Sequence, residues 1–432
     1  MCAVLLCFAF AGSAAALTMG DVDLNGTLNT ADVRAVLRAA VQLEPLTAEG
    51  TQLSDVDGNG RLSIADARAL LRTVCGLEAG RAVSVKNGFA GRREPVVDTS
   101  ALYTYAELCA DLKELAALYP SRFSYSSLGN TADGRSIFCA VLGTGSGARQ
   151  IVVDAAIHGC EYLTPAAAMS AVEYCLRNYD TAVFGGRTVR QILADTDIYL
   201  FPMLNPDGVA ISQFGLEGLQ RAETAAAVRS VYLARRADGS TDRSLADYLL
   251  HWKANANGVD LNRNYAFTAA PYDYDTGVYS PAYAGYKGDL SAPEAETRAY
   301  IRLFDRLPNV TAAVSLHSQG NLIYWDCSQS AYGKWQAKTL ADVICAQTGY
   351  CLDPMDSFVC ASADWAMIER GVPAVTVECG AGSTPLPLRQ QPEIASALKN
   401  VFLAVAELYN RQASDVRGTG LSAARTAYST VM

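Results

Sequence analysis

Four short apolar runs punctuate the chain: QIVVDAAI at 150–157, DIYLFPML at 197–204, VTAAVSL at 310–316 and PAVTVE at 373–378. None carries a helical period. Each stops at polar or small residues: His158-Gly159, Asn205-Pro206-Asp207-Gly208, His317-Ser318, and Glu378 followed by Cys379-Gly380. Between them lie amphipathic patterns such as APEAETRAYIRLFDRL and KWQAKTLADVICAQTG, whose spacing predicts helices. Only strands covered on both faces read as unbroken apolar runs. The pattern therefore predicts an α/β domain with a mixed, largely parallel sheet flanked by helices. In such sheets the site lies beyond the carboxyl ends of the strands.

A different pattern occupies the N-terminal region. DVDLNGTLNTADVRAVLRAAVQLE, from Asp21, recurs as DVDGNGRLSIADARALLRTVCGLE, from Asp55. Each copy is a D-x-D-x-N-G-x-L-x-x-x-D loop followed by a helical stripe, Val33, Val36, Leu37, Ala40 and Val41 in the first and Ala67, Leu70, Leu71, Val74 and Cys75 in the second. The loops offer hard oxygen donors at the positions a calcium ion needs. In the first these are Asp21, Asp23, Asn25, the Thr27 carbonyl and Asp32; in the second Asp55, Asp57, Asn59, the Arg61 carbonyl and Asp66. Gly26 and Gly60 supply the sharp turn. The twelfth position is Asp rather than Glu, and no helix leads into the first loop. Such a duplicated loop-and-exit-helix, over about residues 17–79, resembles a dockerin module. The resemblance implies two structural calcium ions, a small all-α domain and a cohesin domain on a scaffold protein as partner.

Composition narrows the partners. Half of the 432 residues are hydrophobic, which suffices for a large core, and the net charge is −9 without a Lys/Arg block. This argues against nucleic acid and against an anionic membrane surface. The opening MCAVLLCFAFAGSAAALTMG is apolar, offers Ala14–Ala16 as a small-residue cleavage site and reads as a signal peptide over 1–16, with no other membrane attachment expected. Export would make the protein extracellular or attached to the cell surface through a scaffold. The 12 cysteines form no C-x-x-C pair and fix no disulfide pairing. Residues 80–99 are polar and Gly-containing and read as linker, with a catalytic domain over 100–412 and a tail over 413–432.

Two of only three histidines, His158 and His317, sit at strand ends, and Glu161 follows His158 by three residues. Two imidazoles and a carboxylate, with a fourth position open to water, form the ligand set of catalytic zinc. The third, His251 in LLHWKAN, reads as structural.

HGCE at 158–161, NPDG at 205–208, WKANANGVDLNRNY at 252–265, SLHSQG at 315–320 and DWAMIERGVPAVTVECG at 364–380 occur in that order. Over about residues 100–410 the chain resembles the zinc carboxypeptidase family, the carboxypeptidase A-like metallopeptidases, for which the His₂Glu zinc set is characteristic. The wording of WKAN…GVDLNRN and HSQG is most similar to the bacterial branch that includes γ-D-glutamyl-diamino acid peptidases. The resemblance implies that His158, Glu161 and His317 hold one zinc and that Glu378 is the general base. It further implies that Asn262 and Arg263 hold the substrate's terminal carboxylate, and that Asp260 orients His158. Lys253 stands where relatives carry the Arg that stabilises the oxyanion, and Cys160 where relatives often carry Arg. Ala363 falls at the pocket position that sorts side chains. The position of the family's mobile capping Tyr is Asp356, with Tyr350 and Phe358 nearby, so no capping residue is assigned. The expected activity is release of a C-terminal residue from peptides. The alternatives are cleavage of the γ-D-Glu–diaminopimelate bond in peptidoglycan stem peptides, and a non-catalytic binding module docked through cohesin.

Overall fold

A computed structural model describes residues 20, 22, 28–43, 46, 53–56, 62–75, 95–268, 274–327, 330–353 and 359–418, with side chains to Asn410. The chain divides into two compact units, Met1–Pro95 and Val96–Met432.

In the first unit the two repeats form the helices Thr30–Ala40 and Ile64–Val74. Each begins with a capping box. The Asn29 side chain accepts from the Ala31 N–H while its own N–H donates to the Asp32 carboxylate; the Ser63 hydroxyl accepts from the Ala65 N–H while its N–H donates to the Asp66 carboxylate. Val22, Val36, Leu53, Ala67 and Leu70 form the core of this unit. The stripe is half used: Leu37, Val41 and Leu71 are exposed.

The second unit is built on an eight-stranded sheet. Its strands are β1 (Phe123–Asn130), β2 (Ser136–Leu142), β3 (Arg149–Ala155), β6 (Thr196–Phe201), β7 (Val310–His317), β8 (Leu322–Tyr324), β9 (Cys351–Asp353) and β10 (Ala374–Glu378). Between β3 and β6, β4 (Val183–Phe184) and β5 (Arg187–Thr188) form a separate ribbon. The sheet order is β1-β2-β6-β3-β7-β10-β8-β9. Strands β6, β3, β7 and β10 are mutually parallel, β1 and β2 make an antiparallel edge, and β8 runs antiparallel to β10. The four apolar runs read from the sequence are these four central strands.

Their side chains alternate between two cores, as the period of two requires. Ile151, Val153, Val314, Leu316, Val375 and Val377 point to one face with the helices Tyr105–Leu118, Thr164–Arg177, Ala331–Thr348 and Val401–Gly418; Val152, Ala313 and Ala374 point to the other with Ala295–Arg306 and Ser362–Arg370. Double burial explains the unbroken apolar runs.

Two boundaries move. Val96 and Val97 are buried, and their N–H groups donate to the Glu173 carboxylate at 2.8 and 2.9 Å, so residues 96–99 belong to this unit rather than to the linker read over 80–99. The last helix continues to Gly418, past the boundary read at 412. Among the described residues, none of the ten cysteines from Cys75 to Cys379 joins a disulfide.

Candidate active site

The turn after β3 places the first ligands. Gly159 is forced by close approach: a Cβ there would lie 2.3 Å from the Gly208 carbonyl and 2.7 Å from the Trp252 oxygen. The Gly159 N–H donates to the Lys253 carbonyl at 3.0 Å. Asn205, from the NPDG motif, ties the same neighbourhood together: its Nδ2 reaches the carbonyls of Ile157, Lys253 and Ala254, and its Oδ1 accepts from the Gly208 N–H. Asp207 is equally structural, pairing with the buried Arg135 at 2.8 Å.

His317 ends β7 and Glu378 ends β10, and the two are direct partners in the parallel ladder. His158 Nδ1 lies 2.8 Å from Glu161 Oε1, and His317 Nδ1 lies 2.8 Å from Glu161 Oε2. All three side chains are buried, and one donor atom from each falls within 4.8 Å of the others. On its far side His158 Nε2 meets Asp260 Oδ1 at 3.1 Å, while Asp260 Oδ2 accepts from the Gly285 N–H.

This donor set fits a zinc ion. Asp260 is acceptor-only, so His158 Nε2 carries the proton and Nδ1 turns a lone pair on Glu161, another acceptor. Two acceptors 2.8 Å apart require a proton or a cation between them. Tetrahedral ligands about 2.0–2.1 Å from zinc are roughly 3.3 Å from one another, close to the spacing found. Buried Asp154, Glu161 and Asp260 and half-buried Glu378 face two imidazoles and the two cations Lys253 and Arg263, so with neutral imidazoles the carboxylates are in excess, a balance that favours a divalent ion.

The electrostatics follow the same geometry. Burial would raise Glu161, but His158, His317 and Lys253 outweigh it and hold the carboxyl well below the usual range. Asp260 is held low likewise, against burial, by His158 and Arg263. Burial would lower His317, yet Glu161, Glu378 and Asp154 push it up to about 9. Glu378 is driven by burial, with the Glu161 charge adding and His317 opposing, up to about 7. A carboxylate poised there suits a general base near neutrality.

His158, Glu161, His317 and Glu378 line one cavity of about 240 Å³, with Lys253, Asn262, Arg263, Tyr324, Trp325, Asp326, Ala363 and Thr376 in its wall. Lys253 Nζ is 3.4 Å from Glu161 Oε1. Arg263 Nη1 donates to the Asn262 carbonyl, which fixes the guanidinium root. Asn262 Oδ1 accepts from the Ser362 N–H, and its Nδ2 lies 3.4 Å from His317 Nε2. His251 lies elsewhere, bonded to the Asp247 carbonyl at the end of the helix Leu245–Leu250, as expected of a structural residue.

Sequence reading missed Asp154, which is fully buried beneath the histidines, takes a hydrogen bond from Ser315 and is raised by burial to about 6. An Asp inside an apolar strand was the available signal. It also missed Trp325 and Asp326. Of the calcium donors, Asp21, Asp23, Asn25, Thr27, Asp57, Asn59 and Arg61 lie outside the described residues, as do Asp356 and Phe358. Asp32 and Asp66 are buried, and Asp32 also takes the Val22 N–H at 3.1 Å; Asp55 is half-buried.

The family model described as zinc carboxypeptidase matches residues 108–391, most of the second unit. The chain belongs to the zinc carboxypeptidase family. It is therefore a metallopeptidase hydrolase, and the His158-Glu161-His317 cluster has the donor set to hold the zinc that the family's description names. It is similar to gamma-D-glutamyl-L-diamino acid endopeptidase 1 of Lysinibacillus sphaericus, 26% identical over 309 residues that cover 70% of this chain and 72% of that protein. Carboxypeptidase B of Astacus astacus is 27% identical over 298 residues, 65% and 87% of the two chains. In fold, the carboxypeptidase A of Helicoverpa armigera aligns with a TM-score of 0.53 at 16% identity, over 81% of this chain and 82% of that one.

Proposed function

We propose that this zinc carboxypeptidase cleaves the bond preceding a C-terminal residue whose carboxylate is gripped by Arg263 and Asn262. The observation that carries the reading is a guanidinium and a general base, Glu378, in the wall of one cavity with the His158-Glu161-His317 cluster. Zinc bound there supplies Lewis-acid polarisation and a water acidified to a pKa of about 7. Glu378 accepts the proton of the attacking water and passes it to the leaving amine. Lys253 offers positive charge to the developing oxyanion, as a point charge rather than a bidentate fork. Asp260 holds His158 in the tautomer that presents Nδ1.

The test is a Glu378→Gln variant with zinc content measured beside turnover. Full zinc with kcat reduced by about 10²–10⁴ is expected; unchanged turnover would remove Glu378 from its role.

A second substrate reading is favoured by the similarity to the Lysinibacillus sphaericus enzyme, whose name specifies a γ-D-glutamyl–diamino acid bond. In it the C-terminal residue is a diamino acid of a peptidoglycan stem peptide, and Arg263 plays the same part.

For the N-terminal unit the reading is a calcium-loaded dockerin that tethers an exported enzyme to a cohesin. The duplicated loops support the metal, and exposed Leu37, Val41, Ile64 and Leu71 support a protein partner. Removing calcium with EGTA is expected to melt this unit and abolish cohesin binding while peptidase turnover persists. Restoration of lost peptidase activity by calcium alone would contradict it.

A further inference from the structure

From Ile151 to Ala155, β3 has one polar member, Asp154. Side chains of a strand alternate between faces, so Asp154 shares a face with Val152, and its partner across the β3–β7 ladder, Ser315, shares one with Ala313. That face packs on the helices Ala295–Arg306 and Ser362–Arg370. The Asp154 carboxylate is fully buried there, and its Oδ2 meets no partner among the described residues. A buried, unpartnered carboxylate oxygen is destabilising, so packing alone does not account for Asp154. Its other oxygen begins a chain. Ser315 Oγ donates to Asp154 Oδ1 at 2.7 Å, Ser362 Oγ donates to Ser315 Oγ at 3.4 Å, and the Ser362 N–H donates to Asn262 Oδ1 at 3.0 Å. All four residues are at most 6% exposed. Ser362 opens the helix Ser362–Arg370, so its N–H is one that a helix leaves without an internal acceptor. The Asn262 main chain is held separately, its N–H donating to Asp260 Oδ1 at 3.1 Å. What remains to be fixed is which end of its side-chain amide faces a ligand. With Oδ1 committed to Ser362, that end is Nδ2, which lies 3.4 Å from His317 Nε2.

We infer that Asp154, Ser315 and Ser362 are positioning residues that hold the Asn262 amide in the one orientation able to grip a substrate's terminal carboxylate. This rests on the peptidase reading above and extends it to residues that do not line the cavity. A side-chain amide is a donor at one end and an acceptor at the other. Turned over, Asn262 would present Oδ1 to the carboxylate, acceptor against acceptor, and its NH₂ to the Ser362 N–H, donor against donor. The penalty for turning lasts only while the Ser362 N–H stays in place. The Ser362 hydroxyl ties the start of its helix to β7 through Ser315. An ionised Asp154 can only accept, which commits the Ser315 proton to it and leaves the Ser315 lone pairs to receive the Ser362 hydroxyl. The direction of the whole chain is thus set at its buried end. Arg263 needs no such device, because a guanidinium donates from every edge.

The experiment uses zinc-loaded protein and reads two quantities: KM and kcat on the best cleaved of a benzoyl-glycyl-amino acid series, and amide hydrogen exchange at residue 362. Asp154→Asn keeps the side chain's shape, and Ser362→Ala keeps the backbone N–H. Each is expected to raise KM about three- to tenfold with kcat within about twofold, at unchanged zinc content. Each should also speed exchange at residue 362 about tenfold. Asn262→Ala is expected to raise KM further, and adding Asp154→Asn to it should cost nothing more, because the relay then has no amide left to orient. Full additivity of those two substitutions would overturn the inference, since a residue needed only for packing gives that result together with a lowered melting temperature. Exchange identical to the parent's in both relay variants would overturn it as well, and the grip of Asn262 would stand if Asn262→Ala alone raised KM. An Asn262→Ala variant with unchanged KM, beside relay variants that speed exchange, would sink the carboxylate grip and leave the relay standing. A parent that cleaves none of the series would sink the peptidase reading, and exchange at residue 362 would still decide the relay.

Discussion

His317 carries an imidazole that Glu161, Glu378 and Asp154 together hold at about 9, so without metal it is protonated across the neutral range. Zinc takes only the unprotonated ring. Binding at pH 7 must expel that proton, and apparent affinity should climb with pH until about 9 and then level. Calorimetry in buffers of different protonation enthalpy measures the proton release; an affinity flat from pH 6 to 9 would contradict the assignment. The same residue shows how much chemistry was readable beforehand. His158, His317 and Glu378 each close an apolar run and Glu161 follows His158 by three residues, so position marked them as candidates, while their roles came from the family resemblance. Asp154 closes nothing. It sits in mid-strand, and only the β3–β7 register that sets it opposite Ser315 reveals its place under the histidines.

At the scale of elements, the turn Ala156–Glu161 packs backbone against backbone at Gly159. Ala in place of Gly159 would push a methyl into the Gly208 and Trp252 carbonyls, neither of which can swing away as a side-chain end can. The expected cost is about 3 kcal/mol, at the upper side of ordinary overpacking, together with loss of bound zinc. Thermal melting and metal analysis of Gly159→Ala check both; a variant with the parent's melting temperature and full zinc would show that the turn has slack. The four central strands and the helices between them were legible because each strand buries both faces. Strands β1 and β2 were not. β1, FSYSSLGN, is half exposed and mostly polar; β2, SIFCAVL, is an apolar run, but it closes on Gly143-Thr144-Gly145 with no titratable residue to draw the eye. Trp325 and Asp326 were hidden for a different reason: they reach the cavity because β8 turns back along β10, which no local pattern encodes.

Across the whole molecule, Glu296 is a stability lever remote from the chemistry. It is 1% exposed, its Oε1 has no partner among the described residues, and burial, with Asp207 and Glu294 adding, pushes it up to about 8 from an ordinary 4.5. A raised acid contributes stability in full below 4.5 and loses it as pH rises through 8. Glu296→Gln should therefore melt above wild type at pH 9, with the gap closing toward pH 5; a gap independent of pH would place the proton elsewhere. The hydrolytic centre answers to other constraints. Because His317 and Glu378 are neighbouring rungs of one hydrogen-bonded ladder, the metal-side and proton-accepting halves cannot drift apart when loops rearrange. Evolution, or an engineer, is thus free to exchange the segments around Trp325 and Val359, which also face the cavity, for new tastes in substrate while the reaction itself stays put.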